Sequence, residues 1–314
     1  MLNEQPLFTV ATITYNSSKW VQQAVDSVLT SSFVSFEYII ADDCSSDDTW
    51  SIVSQYSDSR IVAFRHDQNI GEYANRNSVI KAAKGKYLLF VDGDDVLLKH
   101  TLRNLAEYIE DFPTAQMIWG VHPAHIDFAI LPHLFESTEL MRLIYGTPFP
   151  LAVIGFNETV FRLEELRAAG GLSERYAIGD THIKKKLALT TNALFVPSGF
   201  VFWRRSSNQA SNRVNQNYTN FIEGYLIDRE IMQQYTDEEK KELVADIKGS
   251  FIRRLVKNTL LKGKIADFIS LYKKAGVAPG DFYFLFKKYT YRYSPIDPSS
   301  HIMCNKFNSS FNRG

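Results

Sequence analysis

Residues 84–95 read KGKYLLFVDGDD: an apolar run over residues 87–91 breaks abruptly into Asp92, Gly93, Asp94 and Asp95. A run that short, bounded by polar residues, predicts a β-strand buried on both faces. Carboxylates gathered at a strand end repel one another and cost stability unless a cation is present. Oxygen ligands of this kind suit Mn²⁺ or Mg²⁺, which bind through one or two carboxylates together with substrate phosphates. An Asp-rich turn capping the helix around Leu102, Leu105 and Ile109 would account for the same residues without any ligand.

Working outward, residues 7–13, 36–41 and 60–64 form further β-rich runs between polar clusters. Helical spacing separates them: Trp20, Ala24, Val25, Val28 and Leu29 after a Ser17 or Ser18 cap, then Trp50, Val53 and Tyr56 after Asp47. A third helix is expected over residues 71–83. Strand and helix alternating in this way predict an α/β fold, a mostly parallel sheet with right-handed crossovers and helices on both faces. Ligands of such sheets bind beyond the carboxyl ends of the strands. Three of those ends are polar: Thr14, Tyr15 and Asn16; Asp42 and Asp43; and the aspartates from Asp92. The topology should bring all three to one edge.

Further along, helices are expected over residues 163–169 and 181–189, with a break at Gly170 and Gly171, and a β-rich run over residues 193–203. Beyond Tyr218 the pattern is helical, with a capping box over residues 236–239. The chain of 314 residues is 45% hydrophobic and 22% charged, which excludes disordered and fibrous classes. No apolar run approaches the ~20 residues that span a bilayer, so the expected location is the cytoplasm or the inner face of the cytoplasmic membrane. Cys44 and Cys304 lack metal-ligand spacing and read as free thiols. Net charge is zero overall, yet residues 248–314 hold 13 Lys and Arg against three Asp, a net +10. Such asymmetry points to an anionic partner for that end.

Four segments in order, FTVATITYN (residues 8–16), YIIADDCSSDDT (38–49), NIGEYANRN (69–77) and KGKYLLFVDGDD (84–95), resemble the successive motifs of family 2 glycosyltransferases of the GT-A fold. The resemblance continues more weakly through Gly170, Gly171 and Leu172, through Gly179 and Asp180, and from Trp203 to Ser211, and leaves the last third of the chain unmatched. It implies a GT-A domain over residues 1–217, with a nucleotide-sugar part (1–95) and an acceptor and catalytic part (96–217), followed by a helical, basic extension (218–314). It also implies inverting transfer of a sugar from a nucleotide diphosphate to an acceptor hydroxyl. By the same resemblance Asp94 is the main ligand of Mn²⁺ or Mg²⁺, with Asp92 beside it and near the ribose. Thr14, Tyr15, Asn16, Asp43, Arg76, Asp92, Gly93 and Arg204 would line the nucleotide-sugar site, Tyr15 lying against the base. Asp43 would accept a ring N–H, which uracil offers and neutral cytosine lacks, favouring a UDP-sugar over CDP; guanine also donates there. Asp180 would be the catalytic base, although a helix cap explains it equally well.

The sequence departs from the pattern at Ile13, where proline is frequent, at Gly179, where glutamate usually precedes the base, and at Ser206, where many members carry a histidine. His182 is a conceivable substitute ligand, but a lone helical histidine is more often structural. His122, His125 and His133 show no ligand spacing. A nucleotide- or glycan-binding domain without turnover is the alternative, and a nucleotidyltransferase is opposed by the lack of an early Gly-rich loop. Expected partners are the donor and a glycan or lipid-linked glycan acceptor, with no nucleic acid. Basic and aromatic residues over 282–293 suggest membrane contact, or else packing on the catalytic domain or a subunit interface.

Overall fold

The computed structural model describes residues 5–122, 130–146, 154–204, 218–236 and 240–285. Strands and helices alternate as β1 (Phe8–Thr14), α1 (Val21–Leu29), β2 (Phe36–Asp42), α2 (Thr49–Val53), β3 (Ile61–Arg65), α3 (Glu72–Ala82) and β4 (Tyr87–Phe90). Next come β5 (Val96–Leu97), α4 (Thr101–Asp111), β6 (Met117–Val121), β7 (His133–Phe135), α5 (Ser137–Gly146), β8 (Thr159–Arg162), α6 (Leu163–Ala168), α7 (Gly179–Ala188), β9 (Ala193–Pro197) and β10 (Val201–Phe202). Three more helices follow: α8 (Thr219–Gln234), α9 (Lys240–Asn258) and α10 (Ile265–Ala275).

Eight strands make one sheet in the order β3-β2-β1-β4-β8-β6-β9-β7, and β5 pairs with β10 outside it. The first four are parallel, whereas β8 runs antiparallel to both β4 and β6. Alternate residues of each strand enter opposite layers, as a period of two requires. Phe8, Val10, Tyr38, Ile40, Tyr87 and Leu89 pack with Val21, Val25 and Val28 of α1 on one face. Ala11, Ile39, Leu88 and Phe90 pack with Val79 and Ile80 of α3 on the other. Both faces are therefore covered, which is why the strands read as continuous apolar runs.

Three local expectations change. No side chain caps α1; instead the Ser17 carbonyl accepts the N–H groups of Trp20 and Val21 at 2.8 and 2.9 Å. The run over residues 193–203 is two strands in different sheets, parted at Gly199, whose φ of 115° is open to glycine and strained for other residues. Helix α7 starts at Gly179, so Asp180 lies inside its first turn and does not cap it; the N-cap position is Ile178, whose own side chain makes no capping bond. The extended backbone at Ile13, paired with Ala41, shows that proline is not needed to hold β1 straight.

The apolar core runs on past residue 217. Ile227, Ile231 and Met232 of α8 and Leu243 of α9 join the layer that contains Trp119, Phe135 and Phe161. A smaller core ties α8, α9 and α10 together through Ile222, Tyr225, Phe251, Leu255 and Leu271. Phe282 packs on Phe268 and Tyr272 with ring centroids 6.2 and 5.9 Å away, so the aromatic segment starts as packing. Residues 286–293 and Cys304, and the expected capping box beyond Thr236, lie outside the described residues. No described helix is long and apolar enough to cross a membrane.

Candidate active site

The register of the parallel strands aligns their polar ends. Thr14 pairs with Asp42, and Asp42 pairs with Arg65, so β1, β2 and β3 end level. Asp42 is fully buried; its carboxylate accepts from Thr14 Oγ1 at 2.9 Å, from the Ser45 N–H at 3.0 Å and from the Ser45 hydroxyl, and Arg65 Nε lies 3.3 Å away. Such a cluster fixes a loop and leaves the carboxylate no room for a ligand. Thr14, itself buried, is consumed in holding Asp42. Beyond the strand ends the backbone takes left-handed turns at Asn16 (φ 51°) and Cys44 (φ 60°). Asparagine tolerates that region, and the Asn16 Oδ1 accepts the Ser46 N–H at 2.8 Å, clasping the two loops. Tyr15, next to it, is 52% exposed.

Asp43 is buried and accepts the N–H groups of Ile70 and Gly71 at 2.8 and 2.9 Å, one on each carboxylate oxygen. It thereby sets the start of α3. One turn into that helix stands Arg76, only 3% exposed, whose Nη2 donates to Asp92 at 2.8 Å and to Glu72 at 3.0 Å. Its guanidinium lies over the rings of Phe90 and Phe156 at 5.0 and 4.7 Å, and Nη1 has no partner among the described residues. Burial works against the charge on Arg76, but Asp92 and Glu72 overcome it and hold the group firmly protonated.

Gly93 donates its N–H to the Ile13 carbonyl at 3.1 Å, and a Cβ there would come within 3.2 Å of Thr14 and Ser17. Asp92 and Asp94 are half-buried, whereas Asp95 is buried, accepting from Asn157 Nδ2 at 3.0 Å and from the Arg204 N–H at 3.0 Å. Burial, then the charges of Asp92 and Asp94, push the Asp95 carboxyl up to about 7. The Arg204 side chain crosses the mouth of the site, with Nε on the Asp94 carbonyl at 2.8 Å, Nη2 on Gln23 at 2.9 Å and the guanidinium 3.9 Å from the Trp20 ring. No group of three or more His, Cys, Asp or Glu able to hold a metal occurs among the described residues. A pair of half-buried carboxylates, crowded enough to shift a third, fits a cation shared with a phosphate ligand; it does not fit an all-protein cage.

The segment carrying Asp180 is held from two sides. From α3, Tyr73 donates its hydroxyl to the Ala177 carbonyl at 3.0 Å, and Asn77 exchanges hydrogen bonds with Leu172 at 2.9 and 2.8 Å. From α8, Glu223 accepts the Ile178 N–H at 3.2 Å, while Glu230 accepts from Tyr176 at 2.8 Å, from His182 Nε2 at 3.1 Å and from Arg175. Tyr73 connects this segment to the strand-end carboxylates. Its hydroxyl is held above its ordinary value first by burial, then by the charges of Asp180 and Glu72, with Arg76 opposing. Asp180 and the Arg76–Asp92 pair therefore flank one turn of α3. The residue before Asp180 has to be small, since a Cβ on Gly179 would meet the Ser173 carbonyl at 2.8 Å and the Tyr73 ring at 3.1 Å. Four residues after Asp180, the buried Lys184 donates to the Ile154 carbonyl at 2.7 Å.

The structure describes three of the four histidines singled out in the sequence. His182 is buried and bonded to Glu230, a structural role and not that of a substitute metal ligand. His133 packs its ring on Phe135 at 4.2 Å, His122 is exposed, and His125 and Ser206 lie outside the described residues. Asn157, Glu158, Tyr73, Glu223 and Glu230 carried no motif that marked them, apart from Tyr73 within residues 69–77. Glu158 holds the turn before β10 by accepting the N–H groups of Gly199 and Phe200 at 3.0 Å each.

A mixed sheet with this strand order and a carboxylate-rich edge defines the GT-A class of nucleotide-sugar folds. Residues 9–162 match the model of glycosyl transferase family 2, and this segment belongs to that family. It is 38% identical over 157 residues to TuaG of Bacillus subtilis, a glycosyltransferase assigned by name to teichuronic acid biosynthesis, covering 49% of this chain and 62% of that protein. It is 34% identical over 104 residues, 33% of this chain and 41% of the relative, to the Escherichia coli enzyme WfaP, named as a UDP-Glc:α-D-GlcNAc-diphosphoundecaprenol β-1,3-glucosyltransferase. The chain thus spans less than two thirds of either relative. In three dimensions it resembles Staphylococcus aureus TarS (residues 1–349) in complex with UDP-GlcNAc, with a TM-score of 0.57 and 19% identity, covering 93% of this chain and 95% of that one.

Proposed function

We propose that this chain is an inverting glycosyltransferase that moves a sugar from a UDP-sugar to an acceptor hydroxyl in the building of a bacterial surface polysaccharide. The observation that supports it best is the convergence on α3, where the Arg76–Asp92 pair and the Asp180 segment flank the same turn. Two carboxylate functions with different surroundings, one beside a buried guanidinium and one on a helix start, suit leaving-group handling and proton removal respectively.

In this reading Tyr15 stacks on the uracil, and Asp43 accepts its ring N–H with lone pairs not taken by Ile70 and Gly71. Asn16, Thr14 and Gly93 shape the floor beneath the ribose, Gly93 because a side chain there would collide with Thr14. Arg204 faces the diphosphate from Trp20, and Arg76 orients Asp92 while offering Nη1 as a further donor. Asp94 with Asp92 would hold Mn²⁺ or Mg²⁺, which neutralises charge on the departing diphosphate. Asp180 takes the acceptor proton as that oxygen bonds to the anomeric carbon from the side opposite the diphosphate. The bond from that carbon to the phosphate oxygen breaks, its electron pair leaves with UDP, and configuration inverts. The acceptor is a glycan or lipid-linked glycan, in line with the acceptor in the name of WfaP.

Incubation with a panel of UDP- and GDP-sugars, with Mn²⁺ or with EDTA, tests this by following diphosphate release. Release from a UDP-sugar that EDTA abolishes is the expected result, together with loss of both release and Mn²⁺-dependent UDP binding in Asp94→Asn. Nucleotide binding without release under every condition would instead assign a binding domain.

A further inference from the structure

Among the described residues, large exposed apolar side chains are mostly scattered, but four fall within ten positions: Leu260, Leu261, Ile265 and Ile269. Leu261, Ile265 and Ile269 are the most exposed of them: Ile265 and Ile269 stand one turn apart on α10, and Leu261 lies in the 3₁₀ turn just before it, across Gly263. They are 77%, 62% and 47% exposed. A different side of α10 is the one that packs: Leu271 and Ala275 are buried against α8 and α9. This helix therefore buries one apolar side and presents another, which packing alone does not require. Residues 257–274 surround that patch with Lys257, Lys262, Lys264, Lys273 and Lys274 and contain only one acid, Asp267. Asp267 is half-buried, whereas all five lysines are exposed.

We infer that the surface formed by Ile265 and Ile269 of α10 and by Leu261 of the turn before it docks on an anionic phospholipid bilayer. Aliphatic side chains at the centre and lysines around them supply the two signals that peripheral binding needs, an apolar insertion and attraction to an anionic surface. Charge complementarity decides against the other occupants. A second copy packed through the same patch would bring its lysines against these lysines. Residues 286–314 carry five Lys and Arg against one Asp, so that segment is also repelled from the patch. Nucleic acid would meet aliphatic groups where stacking aromatics are useful. The surface lies on α10 and the turn before it, and none of its residues is among those of the candidate active site.

Co-sedimentation of the full chain with mixed phosphatidylcholine and phosphatidylglycerol vesicles, against pure phosphatidylcholine, tests the inference at low and high salt. Pelleting is expected only with the anionic vesicles at low salt. Leu261→Glu with Ile265→Glu should lower the vesicle partition coefficient by roughly ten-fold or more per residue, since each loses a buried aliphatic side chain. Lys262→Glu with Lys273→Glu should also abolish pelleting. Both pairs are exposed, so melting temperature and UDP affinity should match the wild type, which separates lost docking from lost folding. Wild-type protein left in the supernatant would overturn the inference, as would double variants that pellet normally. So would a wild-type dimer that Leu261→Glu with Ile265→Glu splits without changing vesicle binding. No sugar transfer enters the assay, so its failure leaves the donor reading untouched.

Discussion

The strand-end edge and the segment carrying Asp180 face the same helix, yet they are built in different ways. At the edge, backbone register does the work: Thr14, Asp42 and Arg65 stand in line because β1, β2 and β3 are parallel and end together. Around Asp180, side chains far apart in the chain hold the segment: Tyr73 and Asn77 on α3 and Glu223 on α8 bond its backbone, and Glu230 on α8 bonds its side chains Tyr176 and His182. The first arrangement tolerates changes in surface side chains because main-chain hydrogen bonds set it. The second should loosen one contact at a time, and the C-terminal helical layer is part of what keeps it in place.

The sharpest way to break this comparison is Asp180→Asn. Donor binding uses the strand ends and should persist by calorimetry, while kcat falls by the ~10² to 10⁴ typical of a lost general base. Equal loss of UDP affinity and kcat would show that the two regions do not divide the work. Glu230→Gln weakens the hold of α8 on residues 175–182 and leaves Asp180 itself intact. Transfer should drop by roughly ten-fold to a hundred-fold, the scale of a ~1 Å misplacement, with UDP affinity unchanged. Unaltered kcat would mean that α8 supports the fold only.

A smaller effect is expected from Gly179→Ala. In an unobstructed first turn alanine would be neutral or stabilising by up to ~1 kcal/mol. Here the Cβ meets the Ser173 carbonyl and the Tyr73 ring, so urea unfolding should show destabilisation of about 1–3 kcal/mol. A stabilised variant would refute the close packing of α3 on α7. The smallest effect concerns pH. Burial holds His182 below its ordinary 6.5, with the bond to Glu230 opposing. The unfolded chain therefore takes up a proton there that the folded one refuses. Its contribution to stability is present above pH 6.5 and is lost as pH falls toward the folded value. Urea midpoints at pH 7.5 and 5.5 should show a decline that His182→Gln reduces; identical slopes would remove His182 from the account.

The alternation of strands and helices, the buried parallel sheet and the meeting of three polar strand ends were legible in the sequence by itself. Each depends on periodicity and on short connections between neighbouring elements, so the information lies within a few residues of where it acts. The tertiary structure decided what each polar group is spent on. Asp42 and Asp43 look alike in sequence, yet one is enclosed by Thr14, Ser45 and Arg65 and the other grips the N–H groups that open α3. The sequence allowed Asp180 as a cap or a base; the start of α7 at Gly179 removed the first. Gly179 reads as a departure from a motif, and only the approach of Tyr73, more than a hundred residues earlier, shows why a side chain has no room there. The helices beyond residue 217 read as an extension, although Ile227, Ile231 and Met232 complete the main core. An amphipathic pattern says that a helix has an apolar side; which surface covers it depends on elements that only folding brings alongside.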